Sequence, residues 1–125
     1  MVTIYQPTNP CYNNNIYLLQ GVQTYSAAVH ISAWFQQSGA GLVLGEETGG
    51  LTKCYIESIL GELPNSKIKI RCSNKDFTWE GGKDGQGFLP DIPVEIDYGK
   101  SKFSIDELKE FVQLAKEFKN KKQKQ

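Results

Sequence analysis

Residues Gln23-Thr-Tyr-Ser-Ala-Ala-Val-His-Ile31 mark the point where an apolar strand gives way to an amphipathic helix. Upstream, Ile16-Tyr-Leu-Leu19 is apolar and bounded by asparagines, which predicts a buried strand over residues 16–20. Downstream, a helix over residues 25–37 is predicted by apolar side chains at helical spacing: Ala27, Ala28, Ile31, Trp34 and Phe35. Ser26 therefore lies at the turn between a strand and a helix.

Such a turn gives Ser26 two possible roles. The free N–H groups of a first helical turn point toward this position, and acyl-transfer enzymes present a nucleophile beside an oxyanion site in this way. Alternatively, the hydroxyl of Thr24 or Ser26 caps the helix, which is the commoner use of such residues.

The following elements predict an α/β domain. A second apolar strand over residues 40–44 implies a strand–helix–strand crossover with two parallel strands. After a loop over 45–52, strands over 53–60 and 67–72 form a hairpin across Gly61-Glu-Leu-Pro-Asn-Ser66, and a short strand is expected at 76–79. In the strand at 67–72, apolar residues alternate with lysine and arginine, which predicts that one face is solvated.

The C-terminal region predicts a second helix. Ser104 and Glu107 form a capping box that opens it. One stripe is expected to face the core: Leu108, Phe111, Val112, Ala115 and Phe118. Residues 119–125 read as a basic frayed tail, and residues 1–14 as an irregular lead-in.

Four motifs in order resemble the C-terminal half of the catalytic domain of the tail-specific (carboxy-terminal processing) serine proteases, peptidase family forty-one. The motifs are Thr24-Tyr-Ser-Ala-Ala28, Gly45-Glu-Glu-Thr-Gly-Gly50, Leu63-Pro-Asn-Ser66 and Gly85-Gln-Gly-Phe-Leu-Pro-Asp-Ile92. The resemblance spans Asn14 to Ile96 and implies a layered crotonase/Clp-protease-like α/β fold, partial, with a β-hairpin and a C-terminal helix. Residues 1–125 would then form a single partial domain.

The resemblance implies a serine-type endopeptidase that hydrolyses protein or peptide substrates through an acyl-enzyme on Ser26. The N–H of Ala27 would supply one oxyanion donor, and Gly49 and Gly50 would contact substrate, although with Gly45 they could simply provide positive φ in the turn. In the family, the second oxyanion donor comes from an earlier strand and turn that this chain lacks. We therefore expect the fragment alone to be inactive.

Two residues compete for the supporting role beside the nucleophile. Many members of the family use a lysine where this chain has Leu51; Lys53 follows, displaced by one pleat, about 7 Å. In an arrangement like that of the tricorn protease core, a histidine from the other half is the base, and an acid from this half falls on Asp84, where glutamate is usual. We favour Asp84 over Lys53. Val29 replaces a common glutamate, and His30 is expected to be a packed or surface residue.

Composition removes other classes. The 14 basic and 14 acidic residues balance, so no electrostatic argument favours nucleic acid. No apolar run reaches the ~18 residues of a membrane-spanning helix, and no secretory signal is visible. Cys11, Cys54 and Cys72 fit neither a zinc site nor a full disulfide framework, and we expect no metal or cofactor. A periplasmic or cell-surface location is implied only by the resemblance.

The sequence leaves two alternative functions open, and it also predicts pairing through an exposed strand edge. The same fold serves as a non-catalytic, retinoid-binding module in a photoreceptor protein family, so a peptide- or ligand-binding domain is the main alternative to a peptidase. A crotonase-like acyl-CoA enzyme is the weaker one. We also expect the apolar edge at Ile16–Leu19 to pair with the missing N-terminal half or with a second copy.

Overall fold

The computed structural model describes Tyr12 and residues 14–122. Most of the expected irregular lead-in, and Cys11 with it, lies outside these residues. The described elements are, in chain order, β1 (Tyr17–Gln20), α1 (Ala27–Gln37), β2 (Leu42–Gly45), β3 (Lys53–Ile56), β4 (Ile59–Glu62), β5 (Lys69–Cys72), β6 (Lys75–Thr78), β7 (Ile92–Pro93) and α2 (Ile105–Lys122).

The main sheet has three strands in the order β1-β2-β7. All neighbours are parallel: Leu18 is opposite Val43, and Leu44 is opposite Ile92. The predicted parallel crossover through α1 is therefore confirmed. Together, β1, α1, β2, β7 and α2 are called the body below.

Alternating side chains of β2 point to the two faces of this sheet, and a helix packs on each face. Leu42 and Leu44 pack in a cluster with residues of α2, including the fully buried Ala115. Because successive strand residues point to opposite faces, Val43 points to the other face, and α1 contacts β1 and β2. The body is thus a helix–sheet–helix arrangement, and the mixed α/β class is confirmed.

The predicted single strand over residues 53–60 is wrong. It is broken at Glu57, whose φ of 56° is in the left-handed region, so that β3 pairs antiparallel with β6 while β4 pairs antiparallel with β5. Two polar contacts hold the break: Lys75 Nζ lies 2.5 Å from Glu57 Oε1, and Arg71 Nε donates to Ser58 Oγ at 2.7 Å. Residues 59–72, beyond the break, are called the arm below.

The arm is exposed on both of its faces, which corrects the expectation of a single solvated face. All residues of β4 and β5 are exposed, with Ile59 at 55% and Ile70 at 46%. The alternation is real, since Ile59 and Cys72 share one face and Leu60 and Arg71 the other. Within the described chain, however, no element covers the apolar face.

Helix α2 opens at the predicted capping box. Ser104 N and Ser104 Oγ both bond Glu107 Oε2, at 2.8 and 2.7 Å, and Glu107 N donates back to Ser104 Oγ at 3.2 Å. Only part of the predicted stripe packs: Ala115 is buried, whereas Leu108 is 46% exposed. The helix runs through Lys122, so the tail is helical further than predicted, and Lys119 Nζ donates to Asn15 Oδ1 at 2.6 Å.

Candidate active site

Ser26 adopts a strained backbone conformation directly before α1. Its φ is 52° and its ψ is −125°, an arrangement that residues with a side chain rarely adopt. Its hydroxyl makes no capping hydrogen bond, and Thr24 Oγ1 instead accepts from Gly21 N at 3.1 Å. The capping interpretation of both residues is therefore wrong. A serine on a strained strand-to-helix turn is the geometry of a nucleophile elbow.

The turn that carries Ser26 is fixed by backbone hydrogen bonds at several points. Thr24 N donates to Gly21 O at 2.8 Å, which closes the turn after β1. Gly50 N donates to Thr24 O at 2.9 Å and ties the turn to the Gly45–Gly50 loop. At the start of the helix, Val29 N donates to Ser26 O at 3.0 Å. The strain at Ser26 is thus held by its surroundings.

Ala27 is the first residue of α1, so its N–H belongs to the turn of the helix that has no intrahelical acceptor. This N–H makes no hydrogen bond to any residue that the structure describes. Its side chain is exposed and does not line the cleft beside Ser26. Only its backbone is therefore available for binding an oxyanion.

A cleft of about 730 Å³ opens beside Ser26. Its lining comes from the start of α1, the loop at 49–51, β3 and Asp84. The residues that line it are Tyr25, Ser26, Val29, His30, Gly49, Gly50, Leu51, Lys53, Cys54, Tyr55, Ile56 and Asp84. Among the site residues proposed from the sequence, all but Ala27 line this cleft.

Lys53 and Asp84 reach the cleft from neighbouring segments. Lys53 is the first residue of β3, and Asp84 is exposed in a turn that Gln86 N closes on Lys83 O at 3.2 Å. The buried Thr52 joins the two segments, because its hydroxyl donates to Gln86 O at 2.9 Å and accepts from Lys83 N at 3.2 Å. Sequence reasoning missed Thr52, which had no signal beyond its place next to Lys53.

Gly49 and Gly50 are required for close approach rather than for positive φ. Of the three loop glycines, only Gly45 has a positive φ, at 118°. A Cβ on Gly50 would lie 2.7 Å from a methyl group of Val29, and one on Gly49 would collide with Val22 O. The interpretation of Gly49 and Gly50 as positive-φ residues is therefore wrong, and both let the loop pack against the Ser26 turn.

The Gly-Glu-Glu-Thr-Gly-Gly and Gly-Gln-Gly-Phe motifs dock onto each other. Gly87 N donates to Glu47 Oε1 at 2.6 Å, and Phe88 N donates to Thr48 Oγ1 at 2.7 Å. Thr48 N returns a bond to Phe88 O at 3.1 Å. The side-chain amide of the buried Gln20 bridges Phe88 O and Glu46 O, at 2.7 and 2.9 Å. Two segments far apart in sequence thereby form one support beneath the cleft.

His30 packs in an aromatic cluster. Its ring centroid lies 5.0 Å from that of Phe77 and 5.4 Å from that of Trp79. Trp79 in turn packs on a core cluster that includes Val29 and Ala33. His30 thus lines the cleft as a packed ring, and its imidazole makes no hydrogen bond to the Ser26 hydroxyl.

Glu46 and Tyr98 form a polar pair beside Val22, near the start of the turn that leads to Ser26. Tyr98 Oη donates to Glu46 Oε2 at 2.6 Å and accepts from Val22 N at 2.8 Å. The bond from Tyr98, followed by one from Ile96 N, lowers the pKa of the Glu46 carboxyl. Burial and the bond to Glu46 raise the pKa of Tyr98.

Asp91 and the cysteines have structural surroundings. Asp91 Oδ2 accepts the Val43 N–H of β2 at 2.8 Å, while the Asp91 N–H donates to Val43 O at 2.8 Å. Cys54 and Cys72 are free thiols. Among residues 12 and 14–122, no group of three or more potential metal ligands converges.

Comparison of the sequence with models of known protein families and with curated proteins finds no match. No helix in the described part of the chain is long and apolar enough to cross a membrane. The quoted motifs and the geometry around Ser26 are therefore the features of this chain that indicate a function.

Proposed function

We propose that this chain carries the nucleophile half of a serine peptidase of the tail-specific protease type, on a crotonase/Clp-protease-like fold. The observation that carries the proposal is the conformation of Ser26. Ser26 has a φ of 52° at a helix N-terminus, makes no capping bond and lines a cleft. Because a strained conformation without a capping role is typical of functional residues, we interpret Ser26 as a nucleophile.

In the proposed reaction, Ser26 Oγ attacks the carbonyl carbon of a peptide bond while the hydroxyl proton passes to a base. The C–N bond then breaks, the amine half of the substrate leaves with the proton that the base returns, and the acyl group remains on Ser26 Oγ as an ester. The amide of Ala27 donates a hydrogen bond to the developing oxyanion, and the N-terminus of α1 adds favourable electrostatics. Losing one donor of this kind reduces the rate by about 100- to 1,000-fold. Water then hydrolyses the ester and releases the acid.

The described residues do not complete this machinery. Neither Lys53 nor Asp84 is hydrogen-bonded to Ser26 Oγ, although both line the same cleft. We propose that Asp84 orients a base supplied by a complementing segment and that Lys53 is the alternative base. A base must approach to within about 2.6–3.2 Å of the oxygen whose proton it takes. The chain alone is therefore expected to be inactive.

A thiol in place of the serine tests the nucleophile without needing a base. In Ser26→Cys, the helix N-terminus should lower the thiol pKa below its usual value of about 8.5 and accelerate alkylation by iodoacetamide. The matched control is Ser38→Cys, at the C-terminal cap of the same helix, where a thiolate is disfavoured. Mass spectrometry separates these sites from the free thiols of Cys54 and Cys72. Equal rates at the two positions would overturn the nucleophile assignment.

Casein hydrolysis and labelling by a fluorophosphonate test the incompleteness of the site. Wild-type protein should show neither. Turnover or labelling that Ser26→Ala abolishes would show that the chain holds its own base, and would contradict the half-site while establishing the nucleophile.

A non-catalytic ligand-binding domain is the second candidate. It is favoured by the absence of a Ser26–base hydrogen bond among the described residues and by an apolar lining that includes Val29, Leu51 and Ile56. Slow alkylation of Ser26→Cys, together with saturable binding of an apolar fluorescent dye that Leu51→Glu abolishes, would favour this function, because Leu51 lines the cleft and is 41% exposed.

We further propose that the β1 edge pairs with another chain or segment. Among the strands that the structure describes, β1 pairs only with β2, and Ile16 beside it is 44% exposed. Unpaired edges of this kind accept a further strand. A monodisperse monomer in analytical ultracentrifugation would contradict self-association through this edge.

A further inference from the structure

Tyr98 lies 76 positions beyond Val22 but touches the turn that carries Ser26. Its hydroxyl accepts the Val22 N–H at 2.8 Å and donates its own proton to Glu46 at 2.6 Å. One phenol thereby links the start of the Ser26 turn to the residue that directly follows β2.

Glu46 is itself fixed, so it can act as an anchor for Tyr98. Its second carboxylate oxygen accepts Ile96 N at 3.1 Å, and its backbone N–H donates to Gln20 O at 3.2 Å. Its backbone carbonyl accepts the Gln20 side-chain amide. Each polar group of Glu46 is therefore bonded either to the end of β1 or to the segment that carries Tyr98.

The tyrosine ring lies directly against the backbone at Gly21. A Cβ added there would collide with Tyr98 Oη and would lie 3.0 Å from Ile96 Cδ1. Only glycine leaves room for the phenol to reach the neighbouring amide. A close approach of this kind restricts the first residues of the turn, while Gly50 N restricts a later one by its bond to Thr24 O.

We propose that Tyr98, anchored by Glu46, is a positioning residue that holds Ser26 in its strained conformation. The turn starts at Gly21 and ends at Ser26, whose positive φ persists only while its surroundings over-determine it. When the Val22 end is released, Ser26 relaxes to an ordinary N-cap conformation, in which its hydroxyl bonds the first helical turn. A role for Tyr98 in catalysis rests on the proposed function, because it requires Ser26 to be the nucleophile. The effect of Tyr98 on the conformation of Ser26 does not depend on that function.

Amide exchange and scalar couplings measured by NMR on the full chain test this inference. In Tyr98→Phe, exchange of the Val22 amide should accelerate about fivefold, the factor for one ordinary hydrogen bond, while that of Leu44 in β2 is unchanged. The φ-dependent coupling of Ser26 should change at the same time. Tyr12→Phe is the matched control, because Tyr12 is 67% exposed and should change neither value.

Glu46→Gln is the conservative variant and covers the case in which Tyr98→Phe fails to fold. The glutamine carbonyl still accepts from Tyr98 but loses the charge, so smaller changes of the same kind are expected at Val22 and Ser26. Unchanged Ser26 coupling in both variants, whatever happens at Val22, would overturn the positioning role. Because neither measurement uses reactivity, this failure is distinguishable from slow alkylation of Ser26→Cys.

Discussion

The body and the arm contain the same apolar residue types but bury them to opposite extents. Leu44 in the body is 2% exposed, whereas Leu60 in the arm is 76% exposed. β2 has a strand on each side and a helix on each face, whereas β4 and β5 pair only with each other in the part of the chain that the structure describes. A two-stranded ribbon has no layer against which to pack, and it is marginal by itself. Burial is therefore decided by the position of a strand in the sheet and not by its composition.

Strained backbone conformations also occur in both the body and the arm region, but their consequences differ between the two. In the described chain, positive φ at residues other than glycine occurs at Ser26 in the body and at Glu57 and Lys67 near or in the arm. Glu57 breaks one long hairpin into two ribbons and is stabilised by the exposed Lys75. Ser26 is instead held between Gly50 and Tyr98, and its side chain is left free at the cleft. Of these three residues, Ser26 alone lines the cleft.

The largest expected effect comes from removing a leucine in each region. Leu44→Ala should lower the free energy of unfolding by about 4 kcal/mol, because it leaves a cavity against Ile92 and Ala115. Leu60→Ala is the matched arm variant and should change it by less than about 0.5 kcal/mol. Urea denaturation measures both. Similar losses in the two variants would show that the arm's apolar side chains are covered in solution.

A smaller difference in stability between the body and the arm is expected for glycine-to-alanine substitutions. Gly45→Ala should destabilise by about 3 kcal/mol, since φ is 118° and the new methyl group would collide with Gln20 O on β1. Gly61→Ala in the arm meets only the flexible Ile70 side chain, at 3.2 Å, and should change stability by less than about 0.5 kcal/mol.

Gly81→Ala separates backbone strain from collision in this comparison. Its φ is 76° with no atom within 4 Å of the added methyl group, so about 1 kcal/mol is expected. Thermal unfolding followed by circular dichroism ranks the glycine variants. A Gly45→Ala protein no less stable than Gly81→Ala would contradict the close β1–β2 approach.

The smallest expected effect is on the pH dependence of the free energy of unfolding in acid. The Lys100 ammonium, followed by the Ser104 bonds, lowers the pKa of Glu107 from 4.5 to about 2. Because the folded value is the lower one, the stabilisation is complete above pH 4.5 and is lost as the pH falls toward 2. Glu107→Gln should flatten this part of the stability–pH curve.

The arm supplies the control for the acid measurement. Glu62→Gln removes an exposed pair with Lys67 at 3.7 Å and should leave the unfolding midpoint at neutral pH unchanged, because exposed ion pairs contribute little. Equal responses of Glu107→Gln and Glu62→Gln between pH 5 and pH 2 would remove the special role of the capping box.

The sequence by itself determined the elements whose signals are local. The helical period after Ser26, the apolar run of β1 and the capping box at Ser104 each depend on residues within one or two turns of chain, and each element formed where it was predicted. The motif resemblance also named Lys53 and Asp84, which lie along the cleft of Ser26. No local signal indicated the break at Glu57 or the bonds that Thr52 makes.

Only the tertiary structure decided the conformation of Ser26 and the burial of the strands. The same nine residues permit a capped helix, and the strained alternative arises from bonds to Gly50 and Tyr98, which are distant in sequence. Likewise, the alternating pattern at 67–72 fixes which side chains share a face, but whether that face is covered depends on a neighbouring layer, and none of the described residues supplies one for the arm. Periodicity is a property of the local chain, whereas strain and burial depend on contacts between segments far apart in sequence.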